Sequence, residues 1–233
     1  MIDPGAMRTL CIDIGGTGIK AIVLDASGAP VTERARQETP HPAGPDAVLH
    51  VIDELAHAQG EFDRVSVGFP GVVREGVTMT APNLSPKWAG FSLSDAIEKL
   101  TGKPVRVAND AGIQGLGAVE GKGFEMVITL GTGMGCGIYL EGKFASLELA
   151  HHPFEKGKTY EERVCNAERK RIGNKKWNKR VQRVITQLAA VFNYRKLYIG
   201  GGNAKHVDKD ALPENVALVD NVAGLMGGIR LWQ

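Results

Sequence analysis

Apolar positions in this chain fall into two patterns. Short runs rich in β-branched residues predict strands, and longer runs with apolar residues three and four apart predict helices. Residues 8–24 read as a hairpin, apolar strand, glycine turn, apolar strand, with Ile19 to Leu24 as the outgoing arm. Ser27-Gly28-Ala29-Pro30 marks a turn, and Val31 to Glu38 reads as a third strand. Val48, Leu49, Ile52 and Leu55 share one helical face behind a capping Asp46. Arg64 to Phe69 is a predicted strand, Val72 to Thr80 a second hairpin, Ser92 to Leu100 a helix and Val105 to Ala108 a strand. A helix is expected over Ala111 to Gly121 despite its glycines.

The second half repeats this order. Glu125 to Leu140 reads as a hairpin with glycines at its turn, and Lys143 to Leu147 as the next strand. A loop-rich stretch runs to about Lys158. Trp177, Val181, Val184, Ile185, Leu188 and Phe192 make a helical stripe. Lys196 to Ile199 and Leu218-Val219 are strands, and Ala223 to Trp232 a closing helix. Two halves that each open on a glycine-turn hairpin predict two similar α/β domains, 8–107 and 108–220, with the terminal helix 221–233 packing back on the first.

The hairpin turns bring in chemistry. The first holds Asp13, Gly15, Gly16 and Thr17, with Lys20 beyond it; the second holds Gly131, Thr132 and Gly133. Glycine lets backbone N–H groups approach an anion closely, and each turn adds a Thr hydroxyl. One such turn says little; a pair predicts two phosphate-binding loops facing a common cleft. Asn109-Asp110 follows a strand and precedes a helix, at the carboxyl edge of a sheet where ligands bind. A carboxylate there can take a proton from an attacking hydroxyl while Asn109 holds a neighbouring one, although the same dipeptide would also cap a helix. Glu148 and His151, spaced i, i+3, pair an acceptor with a group that can donate, which suits vicinal hydroxyls. The pair is equally consistent with an exposed loop.

Composition narrows the partners. The chain has 233 residues, 43% hydrophobic, with a formal net charge of +2, so nothing pulls it globally toward nucleic acid or membrane. No apolar run approaches the ~20 residues of a membrane span. Cys11, Cys136 and Cys165 are far apart and form no C-x-x-C pair, which argues against disulfides or a cysteine zinc site. A reducing, cytoplasmic location is expected.

The two hairpins, Gly68-Phe69-Pro70-Gly71, Asn109-Asp110, Glu148-Leu149-Ala150-His151 and Gly200-Gly201-Gly202-Asn203 stand in one order across residues 8 to 203. In that order they resemble the ROK family of sugar kinases, within the actin/hexokinase/Hsp70 superfamily, and most of all its polyphosphate-using glucokinases. The resemblance implies two ribonuclease H-like (actin-like ATPase) domains with a cleft between them. It implies phosphoryl transfer from polyphosphate or ATP to the 6-hydroxyl of glucose, with Mg²⁺ carried by the donor. Asp110 would be the base, and Asn83, Asn109, Asp110, Glu148 and His151 would contact the sugar. The hairpin residues with Gly201 and Gly202 would contact phosphate or nucleotide, and Asp13 would reach Mg²⁺ through water.

Two departures matter. Ala150 replaces a family glycine. The cysteine zinc motif that should follow His151 is absent, so no zinc is expected, and the next sugar-binding Glu is left open among Glu161, Glu162 and Glu168. ROK proteins also include sugar-responsive transcriptional regulators and sensors, but the seven residues before Arg8 are too few for a helix-turn-helix. A homodimer is expected.

Nine basic residues crowd 163–183 with Glu168 as their only acid. Lys176, Lys179, Arg180 and Arg183 share a helical face. Such a face is either solvated or a track for a polyanion, and with Trp177 as its single aromatic it does not look built to stack bases.

Overall fold

The structure, a computed structural model, describes residues 7–81, 84–219 and 223–233. The chain divides into two compact units: one reaches Gly117 and regains Gly224–Gln233, the other is Ala118–Ala223. The division follows the helix that begins at Asp110, so this helix stays with the first unit.

The first unit opens with β1 (Thr9–Ile14), β2 (Ile19–Leu24) and β3 (Ala35–Gln37). It continues through α1 (Pro45–Gln59), β4 (Arg64–Phe69), the small strands β5 (Val73–Arg74), β6 (Val77–Thr78) and β7 (Phe91–Ser92), α2 (Leu93–Thr101), β8 (Val105–Asn109) and α3 (Asp110–Ala118). The main sheet runs β3-β2-β1-β4-β8, antiparallel through the hairpin and parallel from β1 to β8. Val48, Ile52 and Leu55 of α1 and Leu93 and Ile97 of α2 are buried in one core with Leu10, Ile12, Val65 and Val67.

The second unit comprises β9 (Phe124–Leu130), β10 (Met134–Leu140), β11 (Lys143–Ser146), β12 (Pro153–Glu155), β13 (Lys158–Thr159), α4 (Tyr160–Val164), α5 (Asn166–Ile172), α6 (Asn174–Phe192), β14 (Lys196–Gly200) and β15 (Val216–Leu218). Its sheet runs β11-β10-β9-β14-β15 with the same succession of antiparallel and parallel pairings. The Trp177–Leu188 stripe of α6 is buried on Met126, Ile128, Leu197 and Ile199, and the Trp177 indole donates to the Val164 carbonyl at 2.9 Å.

The sequence pattern and the structure differ at a few places. β3 begins at Ala35, not Val31, because Thr32 turns its hydroxyl to accept from Val23 N–H. α3 stops at Ala118, short of Gly121. The buried Glu125 carboxylate takes the N–H groups of Glu120, Gly121 and Lys122 at 3.1, 2.7 and 3.0 Å, the donors a continuing helix needs.

The closing helix α7 (Ala223–Arg230) belongs to the first unit. Ser66 Oγ donates to the Gly228 carbonyl and accepts from Trp232 Nε1, and the Arg64 and Arg106 guanidinium groups lie over the Trp232 ring.

Candidate active site

In each unit the parallel strands end on one edge of the sheet, and the predicted site residues gather there. The β1–β2 turn is closed by Gly15 N–H to Gly18 O at 3.0 Å. Thr39 Oγ1 donates to Gly15 O at 2.5 Å, and Arg36 to Thr17 O at 3.1 Å. Gly18 packs against Arg36: a Cβ there would stand 2.7 Å from the guanidinium, which would have to swing away from the turn. With those carbonyls engaged, no group among the described residues takes the Gly16 or Thr17 N–H, which remain to meet an anion.

The β9–β10 turn is built alike. Gly131 N–H bonds Gly133 O at 2.9 Å, while Gly131 O accepts from Asn166 N–H at 2.8 Å and from Asn203 Nδ2 at 3.3 Å. Met134 N–H donates to Glu161 Oε2 at 2.9 Å. A Cβ on Gly133 would lie 2.2 Å from that same oxygen, so a side chain there would push the Glu161 carboxylate off Met134 N–H. The Thr132 and Gly133 N–H groups stay without a partner among the described residues. Gly201, at φ +87, abuts the Leu130 backbone, where a Cβ would sit 2.4 Å from the carbonyl; Gly202 has open space above it. Gly201 and Asn203 thus brace the turn.

Lys20 stands directly across the hairpin from Asp13, and the two form an ion pair at 2.8 Å. The Lys20 cation is therefore engaged by a carboxylate beside the turn.

Asn109 ends β8 and Asp110 begins α3. The Asn109 side chain works in both directions: Oδ1 accepts from Gly112 N–H and Nδ2 donates to Gly71 O, each at 3.1 Å. It caps α3 and ties that helix to the loop after β4. Asp110 Oδ1 accepts from Ala111 N–H at 2.7 Å. Gly68 lies beneath Asp110, with an added Cβ 3.5 Å from its Cα. Gly71 admits no side chain, because a Cβ would meet the Thr80 carbonyl at 2.0 Å.

Glu148 precedes a single 3-10 turn, Leu149–His151. Leu149 and Ala150 are buried and anchor it, while Glu148 and His151 are exposed with no hydrogen-bond partner among the described residues. The methyl group that distinguishes Ala150 from a glycine sits inside the core. Asn83 lies outside the described residues.

The three open glutamates prove to have different places. Glu161 holds the β9–β10 turn. Glu162 completes a capping box with Thr159 at the start of α4. Glu168 is buried among Arg163, Arg171 and Arg180. Among the described residues no group of three or more His, Cys, Asp or Glu side chains could hold a metal ion. Burial pushes the Cys11 and Cys136 thiols up to about 12, so neither is a nucleophile at neutral pH.

The basic face is less uniform than its sequence. Arg180 is paired with Glu168, while Arg183 shares Glu155 with Arg163, Glu155 arriving from β12. Lys176 and Lys179 are exposed and have no carboxylate partner among the described residues. Sequence reasoning passed over Asn166, Thr39 and Arg36, all polar residues that look like surface until tertiary contacts bring them to the turns. For Asn166 the available signal was its place inside the basic stretch.

The profile of the ROK family matches residues 9–147. A polyphosphate glucokinase of Mycobacterium tuberculosis (strain CDC 1551 / Oshkosh) is 32% identical over 232 residues, covering 93% of this chain and 88% of the relative. One of Mycobacterium leprae (strain TN) is 31% identical, covering 94% and 73%. Among solved structures, an inorganic polyphosphate/ATP-glucomannokinase from Arthrobacter sp. strain KM superposes with a TM-score of 0.82 at 30% identity, covering 97% of this chain and all of that one. No helix among the described residues is long and apolar enough to cross a membrane. With its profile match spanning more than half its length and a relative 32% identical over 93% of it, this chain belongs to the ROK family.

Proposed function

We propose that the protein is a sugar kinase that moves a phosphoryl group from polyphosphate or ATP to the 6-hydroxyl of glucose. The observation that carries the reading is the duplicated turn. Both hairpins have carbonyls tied down and N–H groups left for an anion, and the first unit adds Asp110 at the carboxyl edge of its sheet. The relatives named above agree with it.

Each unit contributes its own part. The Asp110 carboxylate, ordered by Ala111 N–H, accepts the proton of the attacking hydroxyl as the O–P bond forms. Asn109 sets where that carboxylate starts, because it caps α3 and leans on Gly71. Glu148 and His151 hydrogen-bond other sugar hydroxyls. The Thr132 and Gly133 N–H groups of the second unit, and the Gly16 and Thr17 N–H groups of the first, are each suited to hold donor phosphate. Mg²⁺ enters with the donor as part of the substrate. Asp13, a partly exposed carboxylate beside the first turn, suits a contact to it through water.

Polyphosphate is the preferred donor in this reading, drawn by the basic helices. Lys176 and Lys179 carry the attraction, since Arg180 and Arg183 already hold glutamates. The test is a coupled assay of glucose 6-phosphate formation with ATP and with polyphosphate in separate runs. Turnover with both, and higher kcat/KM with polyphosphate, is expected. Turnover with ATP alone would remove the donor preference, and none with either would remove the function.

A further inference from the structure

Arg169 stands apart from the other arginines between 163 and 183. Arg163, Arg171, Arg180 and Arg183 each face a glutamate. Arg169 faces none among the described residues. It is held by two neutral oxygens, Asn174 Oδ1 at 2.9 Å and Asn166 Oδ1 at 3.0 Å, and its Nε is buried without a partner. A half-buried guanidinium without a counter-charge is unusual, because a buried cation is ordinarily paired.

Its location gives that charge a use. Asn166, which holds the Arg169 guanidinium through its side chain, donates its own backbone N–H to Gly131 O at 2.8 Å. Asn203, on the other flank, donates to the same carbonyl from its side chain and leads into a 3-10 turn, Ala204–His206. His206 N–H bonds Asn203 O at 2.9 Å, and Asn178 pins the far side of this turn by donating to His206 O. Asn178 Nδ2 also donates to the carbonyl of Asn174, whose side chain holds Arg169, so Arg169 and His206 are tied to one corner of the second unit from two elements. They are close enough for the Arg169 charge, with that of Lys205, to help hold the His206 imidazole below its ordinary pKa, after desolvation.

We propose that Arg169, with His206 and Lys205 beside it, forms a second anion subsite of the second unit, which takes the phosphate next to the transferred one in a condensed phosphate chain. The inference rests on the donor role of the β9–β10 turn proposed above. An arginine held by amides keeps its full charge for a ligand, whereas one bonded to glutamate has spent it. Two anion-binding groups in series select for a chain of phosphates over a single one. The chemistry is shared by inorganic polyphosphate and by the tail of a nucleoside triphosphate.

The experiment is calorimetric titration of the full chain with tripolyphosphate, with ATP and with glucose, for wild type, Arg169→Gln and His206→Glu. His206→Glu leaves the Arg169 hydrogen bonds intact but sets a carboxylate against its charge, so it decides the matter where Arg169→Gln fails to fold. Each variant is expected to weaken tripolyphosphate binding by about ten- to a hundredfold, the usual value of a charge-assisted hydrogen bond, and to leave glucose binding unchanged. An equal loss for ATP assigns the subsite to any condensed phosphate; a loss confined to tripolyphosphate assigns it to the inorganic chain. Wild-type affinity for both phosphates in a folded variant overturns the subsite while leaving the kinase reading intact. A wild-type protein that binds neither phosphate overturns both.

Discussion

Gly71 gives the sharpest test of how the first unit holds Asp110. A methyl group there would stand 2.0 Å from the Thr80 carbonyl oxygen and 2.9 Å from its carbon. Relief to an ordinary contact of ~3.4 Å needs a backbone shift of about 1 Å or more, and overpacking of this kind costs about 1–3 kcal/mol. The shift moves the Gly71 carbonyl, which accepts from Asn109 Nδ2 at 3.1 Å. Losing that bond costs about 0.5–1.5 kcal/mol, and a disturbed Asn109 cap on α3 costs about 1 kcal/mol more. Gly71→Ala is therefore expected to destabilise the first unit by about 2.5–5.5 kcal/mol. It should also lower kcat by about 10²-fold, the scale of a 1 Å misplacement at a reacting centre. Gly68→Ala is the control, because its methyl would meet Asp110 Cα at 3.5 Å and Ile12 O at 3.6 Å, ordinary contacts. Urea unfolding and steady-state kinetics on both variants provide the readout. Equal stability and equal kcat in the two would refute the idea that the Gly71 carbonyl positions the Asn109-Asp110 corner.

Glu148→Gln and His151→Ala should each weaken glucose binding by about 1–3 kcal/mol, measured by calorimetry, with little change in melting temperature because both side chains are exposed. Unchanged affinity in both would return them to an exposed loop. Lys176→Glu with Lys179→Glu should raise KM for polyphosphate much more than for ATP and steepen with falling salt, whereas equal effects on both donors would leave a solvated helix face. The Glu168 carboxyl is held down to about 2, first by the hydrogen bond from Arg171 and then by Arg180. A depressed folded-state pKa means its stabilisation is whole above the ordinary carboxyl value of 4.5 and is lost as pH falls from there toward 2. Unfolding midpoints measured across that window should drop in wild type and flatten in Glu168→Gln; parallel curves would contradict the pairing.

The legible parts of this fold are the local ones. β1, β2, β9, β10 and the buried stripe of α6 follow from alternation and helical spacing, and the glycine turns announce themselves because an anion-binding turn needs backbone without side chains. What stayed hidden depends on contacts between distant residues. α4 and α5 are short and charged, with no apolar stripe, and they exist because the Thr159–Glu162 box starts one and Cys165 and Gly173 bound the other. Glu155 looks like a loop acid until β12 delivers it to Arg163 and Arg183, and with Glu168 on Arg180 this halves the apparent cationic face. Glu161 could not be told from Glu162 by position; only the fold turns one toward Met134 and the other back on its own cap. The end of α3 was misplaced because Glu125, beyond the helix, takes its next three N–H donors.

The central claim is that Asp110 removes a proton from a sugar hydroxyl during phosphoryl transfer. The most direct measurement is turnover of Asp110→Asn beside wild type, with glucose and each donor, on protein whose fold and glucose affinity are checked in the same preparation. Asparagine keeps the shape and can still accept from Ala111 N–H but cannot take the proton. The account predicts that kcat falls by ~10²-fold or more with both donors while glucose affinity changes little. Turnover near wild type in a folded, glucose-binding Asp110→Asn protein would contradict it.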